Sequence, residues 1–378
     1  MTVREMIHRL VAFDTVSRQS NLALIEFVQD YLAGLGVDSR LVPSDDGDKA
    51  NLYATVGPAV PGGVVLSGHT DVVPVDGQPW SSDPFELTER DGRLYGRGTC
   101  DMKGFIAIAL ALVPEMKDLK KPIHLALSYD EEVGCLGAPA MIRELVASLP
   151  APQAVIVGEP TSMQVVTAHK GVTAIRSQVT GFEVHSSQPQ RGVNAVSYAS
   201  RLIQHLDTLA RQRAEAGGMD GFDPPYTTIH VGPVQGGTAL NIVPRHCEFL
   251  WDIRHVPGDD PAAIVEGVVA YCRRELIPAM QSVAPDTGIS TEVLARVPAL
   301  AGEDDNPATA LARQLTGENA THCVAFGAEA GQFQEAGFAT VVCGPGSIDQ
   351  AHQPDEYISL EQVAGGETFL RQLIAWLS

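Results

Sequence analysis

Short apolar runs alternate with helical stretches up to about residue 170, and this alternation constrains the fold more than any other feature of the sequence. Strand-like apolar runs occur at residues 64–66, 123–128 and 154–157. An apolar helix is predicted at residues 105–112 and a second helix at 139–149, so that helices separate the strands along the chain. This order predicts an α/β domain with a largely parallel sheet.

The pattern changes between residues 172 and 299. Strands are predicted at 172–180, 227–231, 247–254 and 290–297, with helices at 194–213 and 261–276. The resulting βαββαβ order is typical of a ferredoxin-like α+β unit. The first pattern resumes after residue 299, with a helix at 307–315, an apolar run at 340–343 and a final helix at 367–377. We therefore expect a discontinuous main domain, residues 1–171 and 300–378, with an inserted domain at 172–299.

Composition excludes several classes of partner and location. The chain has 378 residues, of which 44% are hydrophobic, and this is typical of a folded protein. Its formal charge of −20 opposes binding to nucleic acids and to anionic membranes. The N-terminal segment does not resemble a signal peptide, and no apolar run is long enough for a membrane span. Six cysteines without a CxxC motif favour reduced thiols, and we expect a cytoplasmic protein.

Acids and histidines cluster where the apolar runs end. Ligands of open α/β sheets bind at the carboxyl ends of the strands, so these side chains are expected to converge on one crevice. The residues concerned are His69, Asp71, Glu131, Glu132, Glu159 and, after the run at 340–343, His352.

Asp101 lies in the segment GRGTCDMKG, directly before the apolar helix at 105–112. A carboxylate near buried helix surface is costly without a partner, and a cation would supply one. Two histidines and three carboxylates suit two divalent ions if one carboxylate bridges them, and the absence of thiolate favours zinc, cobalt or manganese over calcium. The predicted ligands are His69, Asp101, Glu132, Glu159 and His352. Glu131 is then available as a general base.

Eight segments, taken in order, resemble the metallopeptidase and deacylase family that contains acetylornithine deacetylases, succinyl-diaminopimelate desuccinylases, aminoacylases and glutamate carboxypeptidases. The segments are SGHTDVVP, GRGTCDMKG, YDEEVGCLGA, GEPT, GFEVHSSQPQRGVNA, GGTALNIVP, WDIRHVPG and GPGSIDQAHQPDEY. Each is weak alone, but their common order over nearly the whole chain makes coincidence implausible. The resemblance implies a metallopeptidase-type catalytic domain and an inserted dimerisation domain that acts as a lid.

The resemblance also implies a role for each matching residue. Asp101 would bridge two metal ions, with His69 and Glu159 completing one site and Glu132 and His352 the other. Asp71 would orient the His69 imidazole, and Glu131 would be the general base and acid.

Three residues of the inserted domain match the family's substrate contacts. His185 would reach across a homodimer to polarise the scissile carbonyl, whereas Asn241 and Arg254 would bind the substrate carboxylate. The alternatives are that His185 is an ordinary loop histidine and that Arg254 pairs with Asp252.

The motif AHQPDEY is most similar to that of the acetylornithine deacetylases, which implies N2-acetyl-ornithine as substrate. Ala328 in FGAEAG departs from the threonine usual there, and this leaves acetyl-citrulline, succinyl-diaminopimelate or a dipeptide as alternatives. We expect Glu329 to face the substrate side chain and to favour an amine, although an acid at this position could equally be a local cap. A catalytically inactive binding relative would usually have lost a ligand or the base, and all six positions are present here.

Overall fold

The computed structural model describes residues 1–378. The ten α-helices are α1 Val3–Val11, α2 Leu22–Gly34, α3 Lys103–Leu112, α4 Ala138–Ser148, α5 Ala195–Ala216, α6 Pro261–Tyr271, α7 Ile277–Gln281, α8 Pro307–Thr316, α9 Ala330–Glu335 and α10 Leu360–Leu377. The fifteen strands are β1 Ser39–Pro43, β2 Ala50–Val56, β3 Val64–His69, β4 Thr88–Arg90, β5 Arg93–Tyr95, β6 Ile123–Ser128, β7 Ala154–Val157, β8 Val166–His169, β9 Gly171–Thr180, β10 Thr228–Gly236, β11 His246–His255, β12 Gly288–Val297, β13 His322–Val324, β14 Thr340–Val342 and β15 Tyr357–Ser359. A π-helical turn, Cys272–Leu276, joins α6 to α7.

The chain divides into two compact units. The first comprises Met1–Ala168, Leu300–Cys323 and Ala328–Ser378, and the second comprises His169–Ala299 and Val324–Gly327. The sequence analysis placed the insertion at residues 172–299. The added segment Val324–Gly327 is remote in sequence, and the amide of Lys170 donates a hydrogen bond to the carbonyl of Val324.

The first unit is built on an eight-stranded sheet with the order β1-β2-β6-β3-β7-β14-β8-β13. Its centre is parallel, because β3 pairs in parallel with β6 and β7, and β14 pairs in parallel with β7. Every residue of β3, β6 and β7 is buried, as expected of parallel strands covered on both faces. The predicted α/β class with a mostly parallel sheet is confirmed. The antiparallel strand β1 is largely exposed and lacks an apolar run, so the sequence pattern did not predict it.

Helix α3 lies against this sheet and is buried at every residue, because its sequence KGFIAIALAL is apolar on all sides after Lys103. The Lys103 ammonium donates a hydrogen bond to the carbonyl of Phe13, and burial lowers the pKa of this lysine to about 7. Helices α1 and α10 pack on α3. This packing holds Asp101 beside the carboxyl end of β3.

The second unit is a four-stranded antiparallel sheet with the order β10-β11-β9-β12. Buried and partly exposed residues alternate along β9 and β11, because helices cover one face of the sheet. The apolar residues of α5 and α6 share a core with that face. The predicted ferredoxin-like βαββαβ unit is confirmed, and it leaves β10 and β12 as edge strands.

No helix of the structure combines the length and the apolar character that a membrane span requires. Five of the six cysteines are buried, and all six are free.

Candidate metal centre

The acids and histidines expected at strand ends converge within the first unit. His69 is the last residue of β3, Glu131 and Glu132 follow β6, and Glu159 follows β7. Because β3 pairs in parallel with β6 and β7, their carboxyl ends meet at one edge of the sheet. Asp101 enters from the loop before α3, and His352 from the loop after β14.

Asp101 lies between the two histidines. Its Oδ1 atom is 2.9 Å from Nε2 of His69, and its Oδ2 atom is 3.4 Å from Nε2 of His352. Nε2 of His352 is also 3.0 Å from Oε2 of Glu132, and Nε2 of His69 is 3.9 Å from Oε1 of Glu159. The contacts therefore form two sets of side chains that share Asp101.

The donor set fits divalent cations. Two groups of side chains place their ligand atoms within 4.8 Å of one another: His69 with Glu131 and Glu159, and His69 with Asp101 and Glu132. The Oε1 atoms of Glu132 and Glu159 are buried and accept no hydrogen bond. A buried carboxylate oxygen without a donor is costly, and a metal ion would satisfy both atoms.

Asp71 connects His69 to the loop that carries the two glutamates. The backbone carbonyl of Asp71 accepts a hydrogen bond from Nδ1 of His69 at 2.8 Å, so Nε2 keeps its lone pair for a cation. The Asp71 carboxylate accepts hydrogen bonds from the amides of Glu131 and Glu132 and from the hydroxyl of Ser17. Its Oδ1 atom is 3.6 Å from Nδ1 of His69. Asp71 thus orients the imidazole mainly through its backbone.

Burial and mutual repulsion make the carboxylates of this centre difficult to ionise together. Burial and the neighbouring carboxylates raise the pKa of Glu131 to about 8 and that of Glu132 to about 7. The pKa of Glu159 is raised well above its ordinary value, first by burial and then by Asp101. Hydrogen bonds to Asp101 and Glu132 raise the pKa of His352 to about 10. Cations bound among these groups would offset this repulsion.

The substrate contacts implied by the resemblance lie in the second unit. Nδ1 of His185 accepts a hydrogen bond from the amide of Ser187, and the side chain is exposed. His185 pairs with Ile242 through an isolated β-bridge, next to Asn241. Arg254 lies on β11 with its Nε atom 3.7 Å from Oδ1 of Asp252, and its side chain is 41% exposed. His185 and Asn241 are therefore neighbours, and Arg254 has the carboxylate contact considered as the alternative.

Glu329 has a different environment from the one expected for a substrate contact. It is 1% exposed, and its carboxylate accepts hydrogen bonds from the hydroxyls of Ser67 and Ser128. Both oxygens are therefore already engaged below the carboxyl ends of β3 and β6. Burial raises the pKa of this carboxyl above its ordinary value. The sequence could not reveal this position, because an acid before a short helix is equally typical of an exposed cap.

Comparison with known proteins decides the family. The model of peptidase family M20/M25/M40 matches residues 65–376. The acetylornithine deacetylase of Myxococcus xanthus is 37% identical over 99% of this chain and 97% of that protein. The acetylornithine deacetylase of Proteus mirabilis (strain HI4320) is 36% identical over 99% of this chain and 96% of that protein. The chain belongs to peptidase family M20/M25/M40.

Solved structures of more distant proteins share the fold. The di-peptidase Dug1p of Saccharomyces cerevisiae has a TM-score of 0.78 at 16% identity, covering 99% of this chain and 95% of that one. The M20 family metallo-carboxypeptidase Sso-CP2 of Sulfolobus solfataricus has a TM-score of 0.76 at 18% identity, covering 98% of each chain. The expected metallopeptidase-type architecture is thereby confirmed.

Sequence reasoning missed two charged residues beside the centre of this M20 family member. Arg97 and Glu356 form an ion pair of 2.7 Å, and both are buried. Each lies inside a motif that carried the resemblance, GRGTCDMKG and AHQPDEY. The only signal available was that each motif holds a charge with no assigned role. A buried charge requires a partner, and the partner is distant in sequence.

Proposed function

We propose that this protein is a metal-dependent amidohydrolase that converts N2-acetyl-ornithine to acetate and ornithine. One observation carries the proposal: a complete set of metal-ligand side chains and a candidate base converge in a chain that is similar over nearly its full length to acetylornithine deacetylases. Arginine biosynthesis follows as the role, and the cytoplasmic location expected from the sequence stays a prediction.

His69, Asp101 and Glu159 would hold one divalent ion, and Asp101, Glu132 and His352 the other. Imidazole and carboxylate donors without thiolate support zinc, with cobalt or manganese as alternatives. Two such ions, when bound, lower the pKa of water and polarise a carbonyl group. The orphaned oxygens of Glu132 and Glu159 support this ligand assignment.

Glu131 would transfer the protons. Amide hydrolysis requires a base that takes a proton from water and an acid that gives one to the leaving amine. Burial and the neighbouring carboxylates raise the pKa of Glu131 above its ordinary value, which suits a carboxyl group that has to give a proton as well as take one. Its backbone is held by the Asp71 carboxylate, and its Oε1 atom accepts a hydrogen bond from the thiol of Cys135. These contacts restrain Glu131 without neutralising it.

The second unit would supply the contacts to the substrate. The His185 imidazole would stabilise the developing oxyanion, whereas Asn241 and the Arg254 guanidinium would bind the α-carboxylate. The His185 side chain is exposed and hydrogen-bonded only to Ser187, and Arg254 is partly exposed, so both side chains are accessible to a ligand.

We further propose a homodimer formed through the second unit, in which His185 acts on the substrate of the partner subunit. The edge strand β10 is largely exposed, and Val234 on this strand is one of its exposed apolar residues. Leu240, in the following loop, is fully exposed, and Ile242 is exposed beside it. An open strand edge with exposed apolar side chains is typical of a surface that another chain covers. A second copy of the chain would bury the strand edge and these apolar side chains in a two-fold interface.

Substrate choice is tested by kcat/KM for N2-acetyl-ornithine against acetyl-citrulline, succinyl-diaminopimelate and a dipeptide. Because Glu329 is bonded to Ser67 and Ser128, the preference for ornithine rests on similarity to the relatives and not on this acid. We expect N2-acetyl-ornithine to exceed each alternative by at least about tenfold, which is about 1.4 kcal/mol of transition-state binding. A tenfold preference for another substrate would overturn the ornithine assignment and leave the deacylase chemistry intact. A protein that binds metal without any turnover would be an inactive binding relative.

A further inference from the structure

Two loops of the metal centre are joined by a buried ion pair that belongs to neither ligand set. Arg97 and Glu356 are each 1% exposed, and Nη1 of Arg97 is 2.7 Å from Oε2 of Glu356. Removing two opposite charges from water is costly, and such a pair is retained where further hydrogen bonds satisfy it. Oε1 of Glu356 and both Nη atoms of Arg97 find such partners, in the loops of Asp101 and His352 and at Gln78. Nε of Arg97 is buried without a hydrogen bond.

The second oxygen of Glu356 organises the loop that presents Asp101. Oε1 accepts hydrogen bonds from the amides of Gly98, Cys100 and Asp101, at 3.0, 2.9 and 3.1 Å. Three amides that converge on one carboxylate oxygen hold a loop in a single conformation, because charge-assisted hydrogen bonds are stronger than neutral ones. The amide of Asp101 itself is one of the three, so the carboxylate that faces both histidines is fixed at its own backbone.

Arg97 extends the same network to His352. Its Nη2 atom donates to Oε1 of Gln78 at 2.6 Å, and Nε2 of Gln78 donates to the backbone carbonyl of His352 at 3.0 Å. Nη1 of Arg97 also donates to the carbonyl of Gln353 at 3.3 Å. His352 has φ of 62°, a left-handed conformation that is costly for a residue other than glycine and requires support from its surroundings. Gln78 and Arg97 provide that support from a separate part of the chain.

We propose that Glu356, Arg97 and Gln78 are positioning residues that hold Asp101 and His352 at the spacing required by the ion between them. None of the three lies among the candidate ligands. Glu356 acts through the amide of Asp101 and Gln78 through the carbonyl of His352, and Arg97 joins Glu356 to Gln78. Glu356 acts on the ligand shared by both sites, whereas Gln78 acts only on the His352 side. Loss of Gln78 should therefore weaken one ion selectively, and loss of Glu356 should weaken both. The inference rests on the metal-binding part of the proposed function and is independent of the substrate.

Three variants of the full-length protein test this order: Gln78→Met, Glu356→Gln and Glu361→Gln. Gln78 is only partly buried and methionine is similar in size, so that substitution removes three hydrogen bonds, with His352, Arg97 and Trp80, with little change in packing. In Glu356→Gln the new amide would oppose the Arg97 guanidinium. Glu361 is exposed in the first turn of α10, so Glu361→Gln is the matched control for the change of glutamate to glutamine.

The measurement is titration of metal-free protein with Zn²⁺, together with the visible absorption spectrum after loading with Co²⁺. We expect Gln78→Met to bind the ion of the His352 site about 10–100-fold more weakly, the range found for residues that orient metal ligands. The ion of the His69 site should bind nearly normally. Glu356→Gln should weaken both ions and alter the cobalt spectrum, and the control should match wild type. With excess metal, kcat of the two variants should fall while KM changes little.

Wild-type affinity for both ions and an unchanged cobalt spectrum in Gln78→Met and Glu356→Gln would overturn the inference. If circular dichroism shows that Glu356→Gln does not fold, Gln78→Met decides the question alone. Failure of the proposed function has a different signature: wild-type protein would bind two ions and leave N2-acetyl-ornithine intact, while the order of the variants persists.

Discussion

The two units hold their candidate functional residues in contrasting environments. In the first unit His69, Asp101 and Glu159 are buried, and the groups around them are fixed by hydrogen bonds to other parts of the chain. In the second unit His185 and Asn241 are exposed, and Arg254 is partly exposed on β11. The side chains of the first unit are therefore already held in place, whereas the proposed roles of the second unit require its residues to gain contacts when a substrate or another subunit binds.

Metal removal should have the largest effect, because the buried acids of the first unit repel one another without a bound cation. We expect chelation to abolish turnover, and Zn²⁺ or Co²⁺ to restore it at two ions per chain. Atomic absorption on the reconstituted protein gives the stoichiometry, and activity against metal added gives the dependence. Full activity with one tightly bound ion would contradict the prediction that turnover requires two ions per chain.

The two adjacent glutamates provide the next test, since both are in the same loop and only one is proposed as a ligand. Glu131→Gln should lower kcat by about 10²–10⁴-fold with little change in metal content, because it removes proton transfer alone. Glu132→Gln should instead lose one ion. Kinetics and metal analysis of both variants distinguish the roles, and the reverse result would exchange the two assignments.

His185 tests whether an exposed residue of the second unit joins the centre of another chain. His185→Asn should lower kcat by about 10²–10³-fold, as expected when one group that stabilises an oxyanion is removed. Mixing this variant with Glu131→Gln should recover part of the activity, because a mixed dimer would hold one site with both residues intact. If labelled subunits are shown to exchange and no activity returns, His185 does not act across a dimer.

A smaller effect is expected at the carboxylate contact. Arg254→Lys keeps the positive charge but loses the forked geometry, so KM should rise by about tenfold with kcat nearly unchanged. Because the Arg254 side chain is partly exposed and 3.7 Å from Asp252, its loss should leave the melting temperature almost unchanged. A fall in stability without a change in KM would show that Arg254 only pairs with Asp252.

The smallest effect is expected at His124, a buried histidine outside the metal centre, and it concerns the pH dependence of the free energy of unfolding. Burial lowers the pKa of His124 to about 4 from its ordinary value of 6.5, in contrast to His352, whose pKa is raised by acid partners. A lowered folded-state pKa stabilises the fold above pH 6.5, and that contribution is lost as the pH falls towards 4. His124→Gln should therefore reduce the loss of unfolding free energy between pH 7 and 4.5 by about 1–2 kcal/mol. Urea unfolding at both pH values measures this, and parallel pH curves for the two proteins would contradict it.

The sequence by itself determined the type of structure in each unit and the chemistry of the first. Apolar runs at 64–66, 123–128 and 154–157 became β3, β6 and β7, because strands buried on both faces require consecutive apolar residues. The order of strands and helices between residues 172 and 299 predicted the α+β unit that the structure contains. The acids after β3, β6 and β7 could be placed together because parallel strands end at one edge.

Only the tertiary structure decided which charged side chains lie buried beside the candidate metal ligands and which are exposed. Arg97 and Glu356 are 259 residues apart and meet in a buried pair, and Glu329 reaches Ser67 and Ser128 across more than 200 residues. No local pattern encodes such contacts, because periodicity and capping report only on residues within a few turns. The burial of Glu329 depends on how α9 packs against β14. Sequence patterns therefore sufficed for elements and ligand types, and long-range packing set the partners of each charge.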